Sequence, residues 1–464
     1  MAPSEGIKRN IQITSVLIIL YMVVSILRSP DTLLVGRFYA EEGAVFWSRA
    51  RANNFWETIT FNPNIGYFQL STNLHAQALT YLPVRIAPLI SAWISLILSA
   101  ASAILILLAP NRLCTSLVQR SIISAVLLFS APVTEPDIFA NSIQLQIHLG
   151  LLSIVIYFFD WDKITNRFSW FFIFPTLLLI GLSSIHPLVP LIAYVTLFVS
   201  RFLSNNRVLS KSLFDSSGVA TLGLAIASAI QFAVFINSRQ VENGMNIHPK
   251  IRGHSFALSD LGIFLLSNLT TIFVGREQSD HIYERLQPNV FFGFVILVLF
   301  IVISIFVISR QHSRDKPKSV VKITLLILYF LFSLESMVGH LSPIPSARYQ
   351  VIPSALLILF LFSLVFGIQR SKFRLFFATA FGIPLLFASI GGLSDDPWNV
   401  LSCVDPCVTW PVQIDEADSG ERSDFRFWPY SSQPAFQAPV SPPEGFCKDF
   451  NALVQFTCAD PIIE

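Results

Sequence analysis

NVFFGFVILVLFIVISIFVIS, residues 289–309, decides the fold. The stretch holds no charged side chain, and about 20 apolar residues in a helix cross the hydrocarbon of a bilayer. Inside lipid the backbone must satisfy its own hydrogen bonds, so such a segment is a helix. Comparable stretches lie at 11–28, 83–109, 117–133, 143–159, 168–183, 187–203, 214–236, 320–338, 350–368 and 373–391, which predicts about eleven transmembrane helices. Composition agrees: 464 residues with 53% hydrophobic and 13% charged side chains, at a mean hydropathy of +0.61. Soluble domains carry about 25% charged residues. The expected fold class is an all-α polytopic membrane protein, with residues 1–391 forming the transmembrane part. A net charge of +2 gives no basic excess, which argues against nucleic acid as a partner and leaves membrane lipids. No small-residue cleavage site follows Leu27 and Arg28, so the first stretch reads as an uncleaved anchor.

Short cytoplasmic loops collect Lys and Arg. With the N-terminus in the cytoplasm, the inner segments hold Lys8, Arg9, Arg112, Arg120, Lys163, Arg167, Arg201, Arg207, Lys211, Arg310, Arg314, Lys316, Lys318, Lys322, Arg370, Lys372 and Arg374. Their acids are Glu5, Asp160, Asp162, Asp215 and Asp315, which leaves 24 of the 29 acids outside. An odd number of spans then places the tail, 392–464, outside the cytoplasm. Cysteine usage points the same way, because four of the five cysteines, Cys403, Cys407, Cys447 and Cys458, lie in that tail. Disulfides persist in oxidising compartments, so two bridges are expected in a small extracytoplasmic cap, with the connectivity open. Zinc is a rival for Cys403 and Cys407, but their C-x3-C spacing has no His nearby.

Two outer loops, 29–82 and 237–288, are too long to be simple connectors. In the first, Tyr39, Val45, Phe46, Phe55 and Trp56 alternate with Glu41, Glu42, Arg49 and Arg51, the mixture of interfacial amphipathic helices. In the second, 256–275 is apolar but interrupted by Ser, Asp, Asn and Thr, and reads as a re-entrant or interfacial helix. The inner loops are short and no G-x-x-x-x-G-K-[ST] motif occurs, which excludes ATP-driven transport by this chain alone.

Chemistry gathers at one side. Seven of the eight His, among them His148, His186 and His340, fall outside or near outer span ends, together with Gln144, Glu335 and Arg348. Ionisable groups at such places are costly and are functional candidates. Gln144 and His148 are four residues apart and share a helical face. The adjacent acids Glu41 and Glu42 raise each other's pKa or bind a divalent cation, and either outcome suits a general base. Glu42 is the favoured base, since on a helix it shares a face with Val45, Phe46 and Arg49.

These residues resemble a family. Ala40-Glu41-Glu42-Gly43-x-x-Phe46, Gly66-Tyr67-x-x-Leu70, Asn141-x-x-Gln144 and Arg348-Tyr349-x-x-x-Pro353 are similar to motifs of a bacterial group within the GT-C superfamily of integral-membrane glycosyltransferases. The resemblance spans about residues 10–370. It departs from the group in Glu-Glu, where Asp is common, and in Ile147, where an aromatic residue is common. It implies sugar transfer from a polyprenyl-phosphate donor to a glycan or lipid acceptor at the outer face of the bacterial cytoplasmic membrane. In that scheme Glu41 or Glu42 takes the acceptor proton. Arg348 with Tyr349, or more weakly Arg276, holds the donor phosphate, and Tyr67, Gln144, His148, His186 and His340 line the substrate. The rivals are a transporter or flippase of lipid-linked sugars, which needs polar groups near mid-span, and an O-antigen-type polymerase, which relies on longer Arg-rich outer loops.

Overall fold

The computed structural model describes residues 5–36, 38, 42–61, 67–114, 116–130, 140–204, 214–241, 258–286, 290–312, 316–340, 347–367, 379–385, 388, 410–426 and 437–439. The helices are α1 (Glu5–Arg28), α2 (Ser48–Ala52), α3 (Phe55–Ile59), α4 (Leu70–Leu79), α5 (Ala87–Leu108), α6 (Leu117–Phe129), α7 (Leu145–Tyr157), α8 (Asn166–Gly181), α9 (Leu188–Ser204), α10 (Ser216–Val241), α11 (Leu258–Val274), α12 (Arg276–Leu286), α13 (Val290–His312), α14 (Lys316–His340), α15 (Ala347–Phe366) and α16 (Trp410–Asp418). A two-stranded antiparallel ribbon, β1 (Asp424–Arg426) with β2 (Gln437–Pro439), completes the described chain.

Six of these helices, α1, α5, α10, α13, α14 and α15, are long and apolar enough to cross a membrane, and α6, α7, α8, α9 and α11 are shorter apolar helices. The chain is a multi-pass membrane protein. Ten of the eleven stretches read from the sequence coincide with helices, while 373–391 is described only at 379–385, which is helical, and at 388. The helices turn large apolar side chains outward, Phe291 and Phe171 at 75% exposure and Val16 at 64%, as a lipid-facing coat requires. Local chemistry sets the ends. Ser116 and Gln119 form a capping box at α6, the Asp215 carboxylate accepts from Gly218 N–H at the start of α10, and Pro88 opens α5.

From the segment read as 256–275, the described helix α11, Leu258–Val274, packs within the bundle. Gly262, early in α11, abuts Gly293, early in α13, so closely that a Cβ at Gly262 would overlap the Gly293 carbonyl. The two helices therefore share an end and run side by side into the protein. At Gly275, with φ +88°, the chain turns into α12, and Ser279 bonds back to Thr270 and Thr271. The buried face of α11 is fixed by Gln350 donating to Ser267 and Ser354 donating to Asn268. α11 is thus packed within the bundle, while α12 is polar and turns Gln278, His281 and Arg285 outward.

Contacts sort the connections onto two faces. On one, Arg112 N–H donates to the Phe158 carbonyl, and Arg112 and Arg201 both pair with Asp162. On the other, the segment after α1 meets the tail. Trp410 donates its indole N–H to the Val84 carbonyl and lies in an aromatic cluster with Phe38, Trp47 and Phe425, at ring separations of 4.8–6.1 Å. Arg85 grips Asp415 with two bonds of 3.0 and 3.3 Å. The described part of the tail thus packs against the loop that follows the first helix.

The interfacial reading of 29–82 needs correction. Ala44 through Ala50 are buried, and the Arg49 and Arg51 guanidinium groups lie over the Phe61 and Trp47 rings at 4.1 and 4.8 Å. Charges that read as a water-facing stripe are drawn inward by aromatic faces, while Phe55 and Trp56 project outward. A direct check is crosslinking: with cysteines at Arg85 and Asp415 in a background lacking the native ones, a short bismaleimide should join the tail to the first loop in intact membranes. Failure to crosslink while both sites accept a monofunctional maleimide would overturn the packing of tail against loop.

Candidate active site

Glu42 opens a π-helical turn, Glu42–Trp47, whose six residues are all buried. Its side chain is 3% exposed, so burial rather than an amphipathic face places it, and the turn needs a partner for the carboxylate. That partner is Ser91, in the second turn of α5, whose hydroxyl donates to Glu42 Oε1. The Ser91 oxygen in turn lies 2.8 Å from His75 Nε2, on α4. A serine has one proton, and it goes to the carboxylate. His75 Nε2–H is therefore the donor to Ser91, which leaves Nδ1 as the basic nitrogen. Burial lowers the His75 pKa from 6.5 to about 4, so the imidazole is neutral at pH 7.

A second group lies at the other end of the same segment. Tyr67 is hydrogen-bonded by Gln146 and Gln69 and lies within the electrostatic reach of Tyr349 and Arg348. Burial, the largest influence on it, raises its pKa. The Arg348 guanidinium sits 5.0 Å from the Tyr349 ring centre, is exposed, and makes no ion pair among the described residues. Pro353 has no N–H to give the Tyr349 carbonyl one turn earlier, so the helix is locally open at this point. Beside it, His186 Nδ1 bonds Glu335 Oε1 at 2.9 Å. His186 packs on Gly150, where a Cβ would come within 3.1 Å of it and 2.9 Å of Ile352. Of the residues expected from sequence, Tyr67, Arg348 and Tyr349 thus come together, and His186 packs on Gly150, one turn along α7 from Gln146. Gln144 and His148 are buried on α7, but it is Gln146 that reaches Tyr67.

The link between the groups is anchored in the bundle. The Gln231 side chain of α10 both accepts from Phe68 N–H and donates to the Phe68 carbonyl, at 2.8 and 2.9 Å, and Ser71 N–H donates to Ser183 Oγ. From Gln69 to His75 is a helical rise of about 9 Å. On α4 and at its start, Gln69 Oε1, Ser71 Oγ, Thr72 Oγ1, Asn73 Oδ1 and Gln77 Oε1 are buried without a hydrogen-bond partner among the described residues, as is Gln146 Oε1 on α7. Each such atom costs about 1–3 kcal/mol if left unsatisfied, which makes this polar stretch a candidate for contact with a hydroxylated ligand. Ser91, Gln146 and Gln231 escaped the sequence reading, since one polar residue inside an apolar helix carries no periodic signal.

Glu41 and the cysteines Cys403, Cys407, Cys447 and Cys458 lie outside the described residues, and the side chains of Arg276 and His340 do as well. The described free cysteine, Cys114, is buried. Among the described residues no three His, Cys, Asp or Glu side chains group as a metal site needs, and one Glu42 oxygen is taken by Ser91. No protein-family profile, curated protein or solved structure matches this chain.

The neutral His75 sets a pH dependence. The unfolded imidazole takes its proton near pH 6.5 and the folded one near 4, so its contribution is present above 6.5 and is lost as pH falls toward 4. The amount lost is roughly 3 kcal/mol. Thermal unfolding of the detergent-purified protein should show a fall in Tm across this window that His75→Gln reduces. An identical slope in the variant would remove His75 from the network.

Proposed function

We propose that this chain is a membrane glycosyltransferase that moves a sugar from a polyprenyl-phosphate donor to a cell-envelope glycan or lipid acceptor. Its site faces the outside of the bacterial cytoplasmic membrane, with the N-terminus inside and the tail outside. The observation that carries the reading is the pairing of two unlike groups on one face of an apolar bundle. A buried carboxylate in a hydrogen-bonded chain lies at one end of residues 67–79, and an arginine without an ion-pair partner among the described residues lies at the other. Transfer needs both, a group to take the acceptor proton and a cation to hold the departing phosphate. Glu42 is the base in this scheme. Arg348 is the phosphate holder, with Tyr67 beside it.

Polar contacts inside the bundle, with Ser267 and Asn268 of α11 bonded to α15, favour a second reading, a transporter or flippase of lipid-linked sugars. Variants separate the two. Glu42→Gln keeps shape and removes the base, and should slow transfer by about 100-fold to 10,000-fold with donor binding little changed. Arg348→Lys keeps the charge but loses the fork that matches phosphate, and should impair transfer strongly. Mass spectrometry of surface glycans and lipids from cells carrying each variant at matched expression reads both. Parental sugar content in Glu42→Gln cells would overturn the enzyme reading, and parental content in Arg348→Lys cells would return Arg348 to an interface anchor.

A further inference from the structure

Glu42 has one oxygen already hydrogen-bonded to Ser91 and sits in a turn buried throughout. A chain of hydrogen-bonding atoms leads away from it. Ser91 Oγ bridges Glu42 Oε1 and His75 Nε2, and every link is a polar hydrogen-bonding atom. His75, itself 8% exposed, shares its face of α4 with Ser71 and Thr72, whose hydroxyl oxygens are buried without a hydrogen-bond partner among the described residues, while Phe38, Val45, Phe46 and Trp47 near Glu42 are apolar. The His75 side of the network is the more polar one. Resting on the glycosyltransferase reading, we propose that His75 is the catalytic residue that takes the acceptor proton and that Ser91 relays it to Glu42.

The balance is as follows. The acceptor hydroxyl gives its proton to His75 Nδ1 as its oxygen bonds to the sugar's anomeric carbon. The bond from that carbon to the phosphate oxygen breaks, and the electron pair leaves with polyprenyl phosphate. His75 Nε2–H passes its proton to Ser91 Oγ, and the Ser91 hydroxyl proton passes to Glu42. The imidazole ends neutral with the hydrogen on Nδ1, serine is unchanged in composition, and the carboxylate is neutralised. Total charge is conserved, since the donor phosphate gains the negative charge that Glu42 loses.

The test uses native membranes carrying their own donor and acceptor, with the rate read as polyprenyl phosphate released, in water and in water–deuterium oxide mixtures. Several protons in flight predict a rate for the parental protein that falls along a curve as the deuterium fraction rises. A straight line, the mark of one transferred proton, would overturn the relay. Ser91→Ala and His75→Gln should each lose about 100-fold or more, whereas Ser91→Thr, which keeps the hydroxyl, should stay within about ten-fold of the parental rate, the size of a ~1.4 kcal/mol effect. If Glu42→Gln abolishes release while Ser91→Ala preserves it, the relay is wrong and the base reading stands. If Glu42→Gln preserves release, the base reading itself fails. Should Ser91→Ala not fold, the deuterium curve of the parental protein still decides the relay.

Discussion

The hydrogen bond from Ser91 to Glu42 is the constraint on which the half of the molecule around the first loop depends. A carboxylate cannot be taken out of water without compensation, and the Ser91 hydroxyl is one group that supplies it. Meeting that demand fixes three elements at once. The π-helical turn from Glu42, α4 with His75 and the start of α5 must all converge on one serine. Trp47 and Phe38 then bring in Trp410 of the tail, and Val84, just before α5, receives the Trp410 indole. The tail helix is therefore a cover over the loop that holds the acid. Aromatic burial accounts for its attachment better than its ion pair does, since the Arg85 and Asp415 side chains are more than half exposed and surface pairs contribute little.

The membrane part follows a different logic. Apolar area gives no drive for helices to associate in lipid, so close packing and hydrogen bonds do that work. The Gly262–Gly293 approach and the bonds from Gln350 and Ser354 into α11 are of this kind. So is Gln231, whose amide pairs with both backbone groups of Phe68 and so ties the outer segment to α10. These few polar contacts set the position of residues 67–69, and with it the approach of Tyr67 to Gln146 and Arg348.

The long apolar runs made most helices legible, because nothing else explains twenty uncharged residues in a row. Interruptions by Ser, Asp, Asn and Thr also marked 258–274 as unlike its neighbours. What stayed hidden has a common physical cause. Ser91 and Gln231 are single polar residues in apolar helices, and only their three-dimensional partners give them meaning. Arg49 and Arg51 looked like a solvated stripe because sequence spacing cannot show that Phe61 and Trp47 cover them. A helical face shared by Glu42, Val45, Phe46 and Arg49 is legible in the spacing, but not the π-helical turn that buries every side chain from Glu42 to Trp47. The Arg348–Tyr349 pair was legible, since both residues sit in one short motif near a helix start, and so was His186, a histidine at the rim of an apolar run.

Sugar transfer is the central claim, and a reconstituted reaction tests it most directly. The purified protein in lipid vesicles would receive a panel of polyprenyl-phosphate sugars together with an envelope glycan and lipid extract from cells lacking this chain, and the products would be read by mass spectrometry. The account predicts free polyprenyl phosphate appearing in step with an acceptor heavier by one sugar residue. Donor that crosses the vesicle bilayer intact, with no change in acceptor mass, would contradict it and establish a transporter instead.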